Sequence, residues 1–247
     1  MRCLTVVIFI LIGNCLFSQY FYRYTKNDSL YVWANSGLNL RETIDENSKV
    51  ITTIPFGELV VVDSIFRIDE TEVKVINSIK IDNHWTPEYY IKGKRVKIKY
   101  KDFKGFVFIG FLSTMKPILC ETQCFYFSLD SVIEKQYGVF KTFNRDPDEE
   151  HSDIEIIFNN GYIYTFICGV NWGESSICMP NFPFDEGVLI ISNYIEKMNK
   201  YNKDTGFIWY IKEIKDNYIK FTEMSEMHTI TISKINNLVI ITEGGSN

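Results

Sequence analysis

Apolar and polar residues alternate along most of this chain in short runs. Between residues 38 and 41 the two leucines point to one side of a strand and Asn39 and Arg41 to the other, because successive side chains of a strand face opposite ways. Further on, Val96, Ile98 and Tyr100 alternate with basic residues in the same manner. This two-residue period predicts a mostly β protein whose strands have one buried and one solvated face.

Turn residues divide the first half of this pattern into hairpins. The strand-turn-strand at residues 49–63 is interrupted at Pro55 and Gly57, where proline presets its φ and glycine allows a positive one. Gly105 closes the last hairpin of this half and is predicted to hold a positive φ as well. The turns therefore predict a compact set of antiparallel strands.

The second half predicts an antiparallel meander. Its strongest signal is a strand at 154–158, a turn at 159–161 and a strand at 162–168, since Asn-Gly readily forms a type I′ turn. Further strands are predicted at 187–192, 206–214, 218–223, 228–233 and 238–242, and short helices at 128–137 and 194–201. The pattern leaves open whether the meander forms a barrel or a sandwich.

Three segments of the first half resemble a known family. They read GLNLR, then KVITTIPFGELVVVDS, then VKIKYKDFKGFVFIGFLS, and they resemble the start, middle and end of a bacterial SH3 (SH3b) domain. The resemblance covers about residues 30–113 and implies a small SH3-like β-barrel that binds a ligand and is not an enzyme. The predicted organisation is then a signal peptide at 1–18, a lead at 19–29, the SH3b-like domain at 30–113, a linker at 114–124 and a second antiparallel β-domain at 125–247.

The chain departs from the family pattern at residues 66–95, where it carries an insertion. Trp85, Tyr89 and Tyr90 crowd around Pro87 there and combine flat apolar area with polar tips, as recognition surfaces do. The resemblance implies that aromatic loops of this kind hold extended peptides or wall peptide and glycan. Alternatively, Trp85 plugs the barrel and the tyrosines cover its open end. Trp33 is predicted to lie in the core.

Residues 1–18 have the features of an export signal. Arg2 precedes an apolar run at 4–12, which is shorter than a membrane-spanning helix, and cleavage after Ser18 would leave Gln19 as the new N-terminus. Lipid modification of Cys15 is the alternative, although Asn14 is a poor residue to precede a lipidated cysteine. We therefore expect an exported protein, periplasmic or secreted.

Charge restricts the partners. The formal net charge is −5 at pH 7, which argues against nucleic acid and against a polybasic membrane contact. Seven basic residues nevertheless cluster at 92–104, mostly at every second position. They form either a solvated strand face or a patch for an anionic wall polymer or an acidic partner.

Four cysteines remain once the first eighteen residues are removed: Cys120, Cys124, Cys168 and Cys178. An even number in an exported chain favours disulfides. Of the three possible pairings, Cys168 with Cys178 is favoured because these two residues flank one loop. A zinc site using the Cys-x3-Cys spacing of the first pair is the alternative, and no metal is predicted.

Catalysis is not predicted. The chain has three histidines, His84, His151 and His228, and no nucleophile or metallopeptidase motif beside them. An acidic loop at 146–153 could hold calcium, but it lacks the alternation and glycine of an EF-hand and suits a solvated hairpin tip. We expect a non-catalytic exported binding module without cofactor, which recognises a cell-wall or envelope protein ligand. The alternatives are a structural or assembly protein of the envelope and an accessory domain acting beside a hydrolase.

Overall fold

The computed structural model describes residues 24–66, 70–117, 129–146, 152–202 and 208–246. The protein is mostly β, with 55% of residues in strands and 15% in helices, which confirms the predicted fold class. Several predictions lie outside the described residues: the export signal with Cys15, the thiols Cys120 and Cys124, and most of the acidic loop. Among the described residues, no helix has the length and apolar character needed to cross a membrane.

The first domain is built on an open seven-stranded sheet. Its described strands are β1 (Ser29–Val32), β2 (Leu38–Arg41), β3 (Val50–Ile54), β4 (Leu59–Ile65), β5 (Thr71–Ile76), β6 (Lys80–Ile81), β7 (His84–Trp85), β8 (Tyr89–Gly93), β9 (Arg95–Tyr100), β10 (Phe103–Phe108) and β11 (Leu112–Ser113). The order in the sheet is β11-β1-β4-β9-β10-β2-β3, and β5–β8 form two separate ribbons.

The predicted closure of this sheet into a barrel is wrong. β3 and β11 are its two edges and do not pair with each other. The β1–β4 pairing continues into the turn after β3, where the Gly57 N–H donates to the Val32 carbonyl at 2.8 Å and the Val32 N–H donates to the Glu58 carbonyl at 3.0 Å. These bonds lie on the β4 side of β1 and leave β3 and β11 as separate edges.

The predicted alternation is confirmed in this sheet. Leu38 and Leu40 are buried while Asn39 is exposed, and the Thr53 hydroxyl donates to the Asn39 Oδ1 at 2.9 Å from the neighbouring strand. In β9 the apolar positions are buried and the basic ones are not. The buried side chains form one core beneath the sheet.

The two predicted glycine turns have different outcomes. Gly57 has a φ of +81°, as predicted, whereas the positive φ of the last hairpin belongs to Lys101 and not to Gly105. A Cβ at Gly105 would lie 2.5 Å from the Arg41 carbonyl oxygen. Glycine is required there because β2 and β10 approach closely. The prediction that Gly105 provides a positive φ is therefore wrong.

The second domain is one eight-stranded antiparallel sheet with two helices on one face. Its elements are α1 (Leu129–Tyr137), β12 (Val139–Asp146), β13 (Ser152–Phe158), β14 (Ile163–Gly169), β15 (Trp172–Pro180), α2 (Phe184–Tyr201), β16 (Trp209–Lys215), β17 (Tyr218–Glu223), β18 (His228–Ile235) and β19 (Leu238–Ser246). The order is β12-β13-β14-β15-β19-β18-β17-β16. Each half is a helix followed by a four-stranded meander, and the halves meet where β15 pairs with β19. The sheet is neither a closed barrel nor a sandwich.

Two local predictions in this domain are corrected. Residues 187–192 were predicted as a strand but belong to α2, whose buried Val188, Ile191 and Ile195 follow helical spacing. A short apolar run cannot by itself distinguish a buried strand from a buried helix. In the turn at 159–161 only Gly161 has a positive φ, so the hairpin has a three-residue loop and not a type I′ turn. The helix predicted at 128–137 is confirmed as α1.

The two domains share apolar packing. Trp33, Ile91, Phe108 and Met115 of the first domain belong to the same buried cluster as the core of the second. Trp33 is only 6% exposed, as predicted for a core residue, and its indole N–H donates to the Met115 carbonyl at 2.7 Å. This packing fixes the position of the insertion against the second domain.

Candidate functional site

The insertion is a long irregular hairpin that leaves the first sheet. β5 pairs with β8, and the ribbon continues as β6 and β7. Asp82 and Asn83 form its tip with φ values of 44° and 68°, the two positive angles that a tight two-residue hairpin turn needs. Burial and the charge of Glu226 raise the pKa of Tyr210 in β16, and the Asp82 charge at the tip makes a smaller contribution in the same direction.

Trp85 lies next to this tip and is 70% exposed. It therefore does not plug the first domain, and the alternative interpretation of this residue is wrong. An exposed indole on a short ribbon can provide contact area to a ligand at little cost, since few of its neighbours need to move.

The two tyrosines of the insertion point to different places. The Tyr89 hydroxyl donates to the Asp185 Oδ1 of α2 at 2.9 Å, across the domain boundary, and burial followed by the Asp185 charge raises the pKa of Tyr89. Tyr90 is 44% exposed, and its hydroxyl donates to the Glu88 Oε2 at 2.7 Å. The structure thus does not bring Trp85, Tyr89 and Tyr90 into one surface, and Tyr89 joins the two domains.

A groove of about 280 Å³ runs between the insertion and the second domain. Val75 and Ile79 form its wall on the insertion side, and Ile195, Ile211 and Phe221 form the opposite wall. Its polar lining residues include Asn77, Thr86, Glu196 and Asn199. The groove is mostly apolar with a few polar groups, which is the usual character of a binding site.

Hydrogen bonds hold both walls of this interdomain groove. On the insertion side, the Ile79 N–H donates to the Thr86 hydroxyl at 2.9 Å. On the other side, the Asn199 amide donates to the Trp209 carbonyl at 2.8 Å and accepts from the Trp209 N–H at 2.7 Å. The Asn199 side chain therefore provides the hydrogen-bond partners for the Trp209 N–H and C=O that a neighbouring strand would otherwise provide.

Among the strands that the structure describes, β16 lies at the edge of the sheet. Alternate residues of a strand direct their backbone groups to the same side, so Ile211 directs its N–H and C=O toward the same free edge as Trp209. The edge is short, since the register shifts between Ile211 and Glu213 and such a bulge ends regular pairing. Ile211 is only 1% exposed, so its neighbours cover this edge, and the groove presents mainly side chains to a ligand.

The two domains are also connected beside the groove. The Asn35 amide donates to the Glu196 Oε2 at 2.6 Å, and the Lys197 ammonium lies 4.8 Å from the centroid of the Phe56 ring. Burial lowers the pKa of Lys197. Both contacts join α2 of the second domain to the first domain. They therefore hold the two walls of the groove in a fixed relative position.

The basic cluster at 92–104 is partly neutralised by its neighbours. Lys92 pairs with Glu72 at 3.3 Å, Lys99 with Asp63 at 3.1 Å and Lys101 with Glu58 at 3.7 Å. These pairs are largely exposed, so they contribute little to stability. They favour the solvated-face interpretation over a patch for an anionic polymer.

The favoured disulfide does not form. Cys168 and Cys178 are both free thiols. Cys168 lies opposite Gly173, five residues along β15 from Cys178, which separates the two Cα atoms by roughly 16 Å, far beyond disulfide reach. The odd spacing also places the two thiols on opposite faces of the sheet. Within the described ranges, no group of three or more side chains could hold a metal ion.

Sequence reasoning missed Asn199 and Trp209 as groove residues. Asn199 lies in a segment predicted as helix and Trp209 in one predicted as strand. Nothing in either segment indicates that the Asn199 side chain would form hydrogen bonds to the backbone of Trp209. Comparison with known proteins finds no matching family model, no matching curated protein and no matching solved structure. The geometry of the groove is therefore the basis for assigning a function.

Proposed function

We propose that this protein is an exported, non-catalytic binding protein, with an SH3b-like first domain, that holds an extended segment of a cell-envelope protein in the interdomain groove. One observation carries the proposal: a mostly apolar groove with a few polar groups lies between the insertion and the second domain. An extended ligand would place an apolar side chain between Ile79 and Ile195. The exposed indole of Trp85 lies on the same insertion, outside the groove lining, and would contact the flanking part of the ligand.

The size of the groove supports a peptide segment. A volume of about 280 Å³ lies near the lower end of small-ligand sites and suits one or two apolar side chains. Backbone pairing along β16 would contribute little, because Asn199 occupies the edge at Trp209 and Ile211 is only 1% exposed. A short extended segment that presents one apolar side chain fits these limits better than a long glycan chain.

A structural or assembly role is the second candidate, and a different observation favours it. The face of the second sheet away from the helices carries Ile167, which is 44% exposed, and Trp172, which is 51% exposed. Phe140 on the outer strand is 71% exposed. Exposed apolar residues on one sheet are typical of surfaces that contact other proteins.

Two binding assays test the proposal with the chain lacking residues 1–18. The first selects peptides from a displayed random library on the immobilised protein and measures their affinity by calorimetry. The second measures co-sedimentation with purified cell wall. We expect apolar extended peptides to bind, and Ile79→Glu to weaken binding about tenfold or more, as loss of a central contact does. Trp85→Ala should weaken binding less, because Trp85 lies outside the groove lining.

Phe140→Ala is the matched control, because Phe140 is as exposed as Trp85 but lies on the second domain. This variant should bind peptides like the wild type. Binding to wall and not to peptides would replace the peptide ligand by wall peptide or glycan. Absence of binding in both assays would overturn the proposal and leave the structural role.

A further inference from the structure

A second cavity, of about 500 Å³, opens on the helix-covered face of the eight-stranded sheet, away from the interdomain groove. Gly173 of β15 and Gly245 of β19 lie directly opposite each other in its floor. Tyr164, Phe166, His228, Glu243 and Asp130 are among the residues that surround it. We call it the glycine-floored cavity.

The pairing of β15 with β19 explains why the cavity exists. Along this ladder, on the face covered by the helices, Met179 lies opposite Val239 and Ile177 opposite Ile241, and all four side chains are core. The next pair on the same face is Ser175 with Glu243, and the one after it is Gly173 with Gly245. Along this face, the apolar pairs of the core are therefore followed by a polar pair and then by a pair of glycines, which have no side chains.

The two glycines in the cavity floor differ in whether the fold requires glycine at that position. A Cβ at Gly245 would lie 2.3 Å from the His228 Nδ1, so glycine is needed there for the imidazole to lie against the backbone. A Cβ at Gly173 would meet only Cys168 and the Phe166 ring, at 3.7 and 3.9 Å, which are ordinary contact distances. The fold therefore does not require glycine at 173, yet a side chain there would fill the cavity.

The cavity is acidic. Its described lining includes the carboxylates of Asp130 and Glu243 and no lysine or arginine. Burial raises the pKa of Glu243 to about 7, and the nearby charge of Asp130 adds to this effect. Burial also raises the pKa of Asp130. An ionised carboxylate in such a place is destabilising unless a positive group accompanies it.

Aromatic rings lie beside these carboxylates. Tyr164 and Phe166 project from β14 on the same face as Glu243, and Trp172 lies at the rim. The pKa of Tyr164 is raised to about 12, mainly by burial, so its hydroxyl stays neutral and can donate a hydrogen bond. Carboxylates flanked by aromatic rings are suited to an organic cation, since both attract positive charge.

We propose that the glycine-floored cavity binds an organic cation, a primary amine or guanidinium carried on an apolar or aromatic body. The charged group lies against Glu243 and Asp130, and the body lies over the glycine floor against Phe166 and Tyr164. A metal ion is a poorer occupant, because the described residues contain no cluster of three metal-binding side chains. The site is separate from the interdomain groove, and this proposal does not rest on the proposed function.

Binding should depend on pH through the groups that face Glu243. These are Asp130 from α1, Tyr164 from β14, Tyr194 from α2 and His228 from β18. Ionisation of Glu243 favours the cation, so affinity for an amine should rise as the pH increases through about 7.

Calorimetric titration of the chain lacking residues 1–18 tests the proposal with phenethylamine and agmatine as cations. Phenethyl alcohol is the uncharged analogue of the first, phenylacetate is its anionic counterpart, and N-acetylglucosamine is a neutral sugar. We expect the amines to bind at about pH 8.5, more weakly at about pH 5.5, and at least about tenfold more weakly to Glu243→Gln, because a hydrogen bond to a charged group is lost.

The glycines provide a matched pair of variants. Gly173→Val should abolish amine binding by filling the cavity. Gly244→Val should retain it, because a Cβ at Gly244 would meet the Glu174 side chain on the opposite face, at 3.7 Å. Circular dichroism and thermal melting establish that both variants fold, and Trp85→Ala should bind amines normally whatever its effect on peptides.

Four results would overturn the proposal. They are no amine binding by the wild type, equal binding of the alcohol or the sugar, unchanged amine affinity in Glu243→Gln, and unchanged affinity in a folded Gly173→Val. None of these results bears on the interdomain groove, so failure here leaves the peptide proposal standing, and failure of the peptide proposal leaves this one standing.

Discussion

Asn199 forms two hydrogen bonds to the backbone of Trp209, donating to its carbonyl at 2.8 Å and accepting from its N–H at 2.7 Å. A helix side chain thus takes the place of a strand at the edge of a sheet. Trp209 is only 6% exposed, so its backbone groups have little access to water. The edge of β16 depends on this one amide at its first residue.

Replacement of Asn199 should therefore destabilise the second domain. We expect Asn199→Leu to lower the free energy of unfolding by about 2 kcal/mol, because two backbone groups of a buried residue lose their partner. Urea denaturation measures the change. Asn199→Asp keeps an acceptor for the Trp209 N–H but no donor, so it should lie between the wild type and Asn199→Leu. Equal stability of all three would show that the pair contributes nothing.

Glu243 should make stability depend on pH. Its pKa in the folded protein is about 7, above the ordinary value of 4.5, so the folded state holds this proton to a higher pH than the unfolded state. Stability from this group is therefore complete below about pH 4.5 and falls as the pH rises to about 7, by about 3 kcal/mol in total.

Urea denaturation across this range, compared between the wild type and Glu243→Gln, isolates the contribution of Glu243. The variant should lose less stability than the wild type between pH 4.5 and 7 and should be the more stable protein at about pH 8. Asp130, whose pKa is also raised, remains in both proteins, so the comparison measures Glu243 together with its coupling to Asp130. A wild type that becomes more stable relative to the variant as the pH rises would have the wrong sign.

Tyr89 and Tyr90 should respond differently to the same substitution. Tyr89→Phe removes the hydrogen bond to Asp185 across the domain boundary and should cost about 1–2 kcal/mol, since a carboxylate loses a partly buried donor. Tyr90→Phe removes a bond to Glu88 at an exposed position and should change stability by less than about 0.5 kcal/mol. Thermal unfolding of the two variants side by side makes the comparison. The reverse order would mean that Tyr89 does not join the domains.

Gly105 and Gly57 should tolerate alanine to different degrees. Gly105→Ala places a Cβ 2.5 Å from the Arg41 carbonyl oxygen, and we expect a loss of about 2 kcal/mol or more because β2 must move away from β10. Gly57→Ala meets no atom within 4 Å and should cost only about 1 kcal/mol, for its positive φ. Chemical denaturation distinguishes the two. A larger loss at Gly57 would contradict the close approach of the strands.

Local chemistry made much of the fold predictable. β9 could be predicted because its apolar and basic positions alternate strictly, and α1 because its apolar residues follow helical spacing. Residues 187–192 could not be assigned in the same way, since an uninterrupted apolar run has no period. The positive φ of Lys101 was missed because a neighbouring glycine offered the easier explanation. These two errors concern local backbone conformation and did not change the predicted fold class.

The candidate sites were less predictable, because they depend on contacts between distant residues. Trp85 could be chosen from the sequence as a candidate contact residue because it lies among tyrosines beside a proline, and its side chain is exposed in the structure. Tyr89 was grouped with it because they are close in sequence, whereas its partner, Asp185, lies on a helix of the other domain. Gly173 and Gly245 are separated by a helix and three further strands. Only the register of β15 with β19 shows that these two glycines form one floor.

The presence of Trp33, Ile91 and Phe108 in the core of the second domain has a practical consequence for anyone dividing the chain. A fragment ending near residue 117 would expose an indole and a phenyl ring that are almost fully covered in the intact protein, and its complement would lose the cover over α2. Such halves would be prone to aggregate. The intact chain should instead melt in a single cooperative transition, because the two domains share one buried cluster.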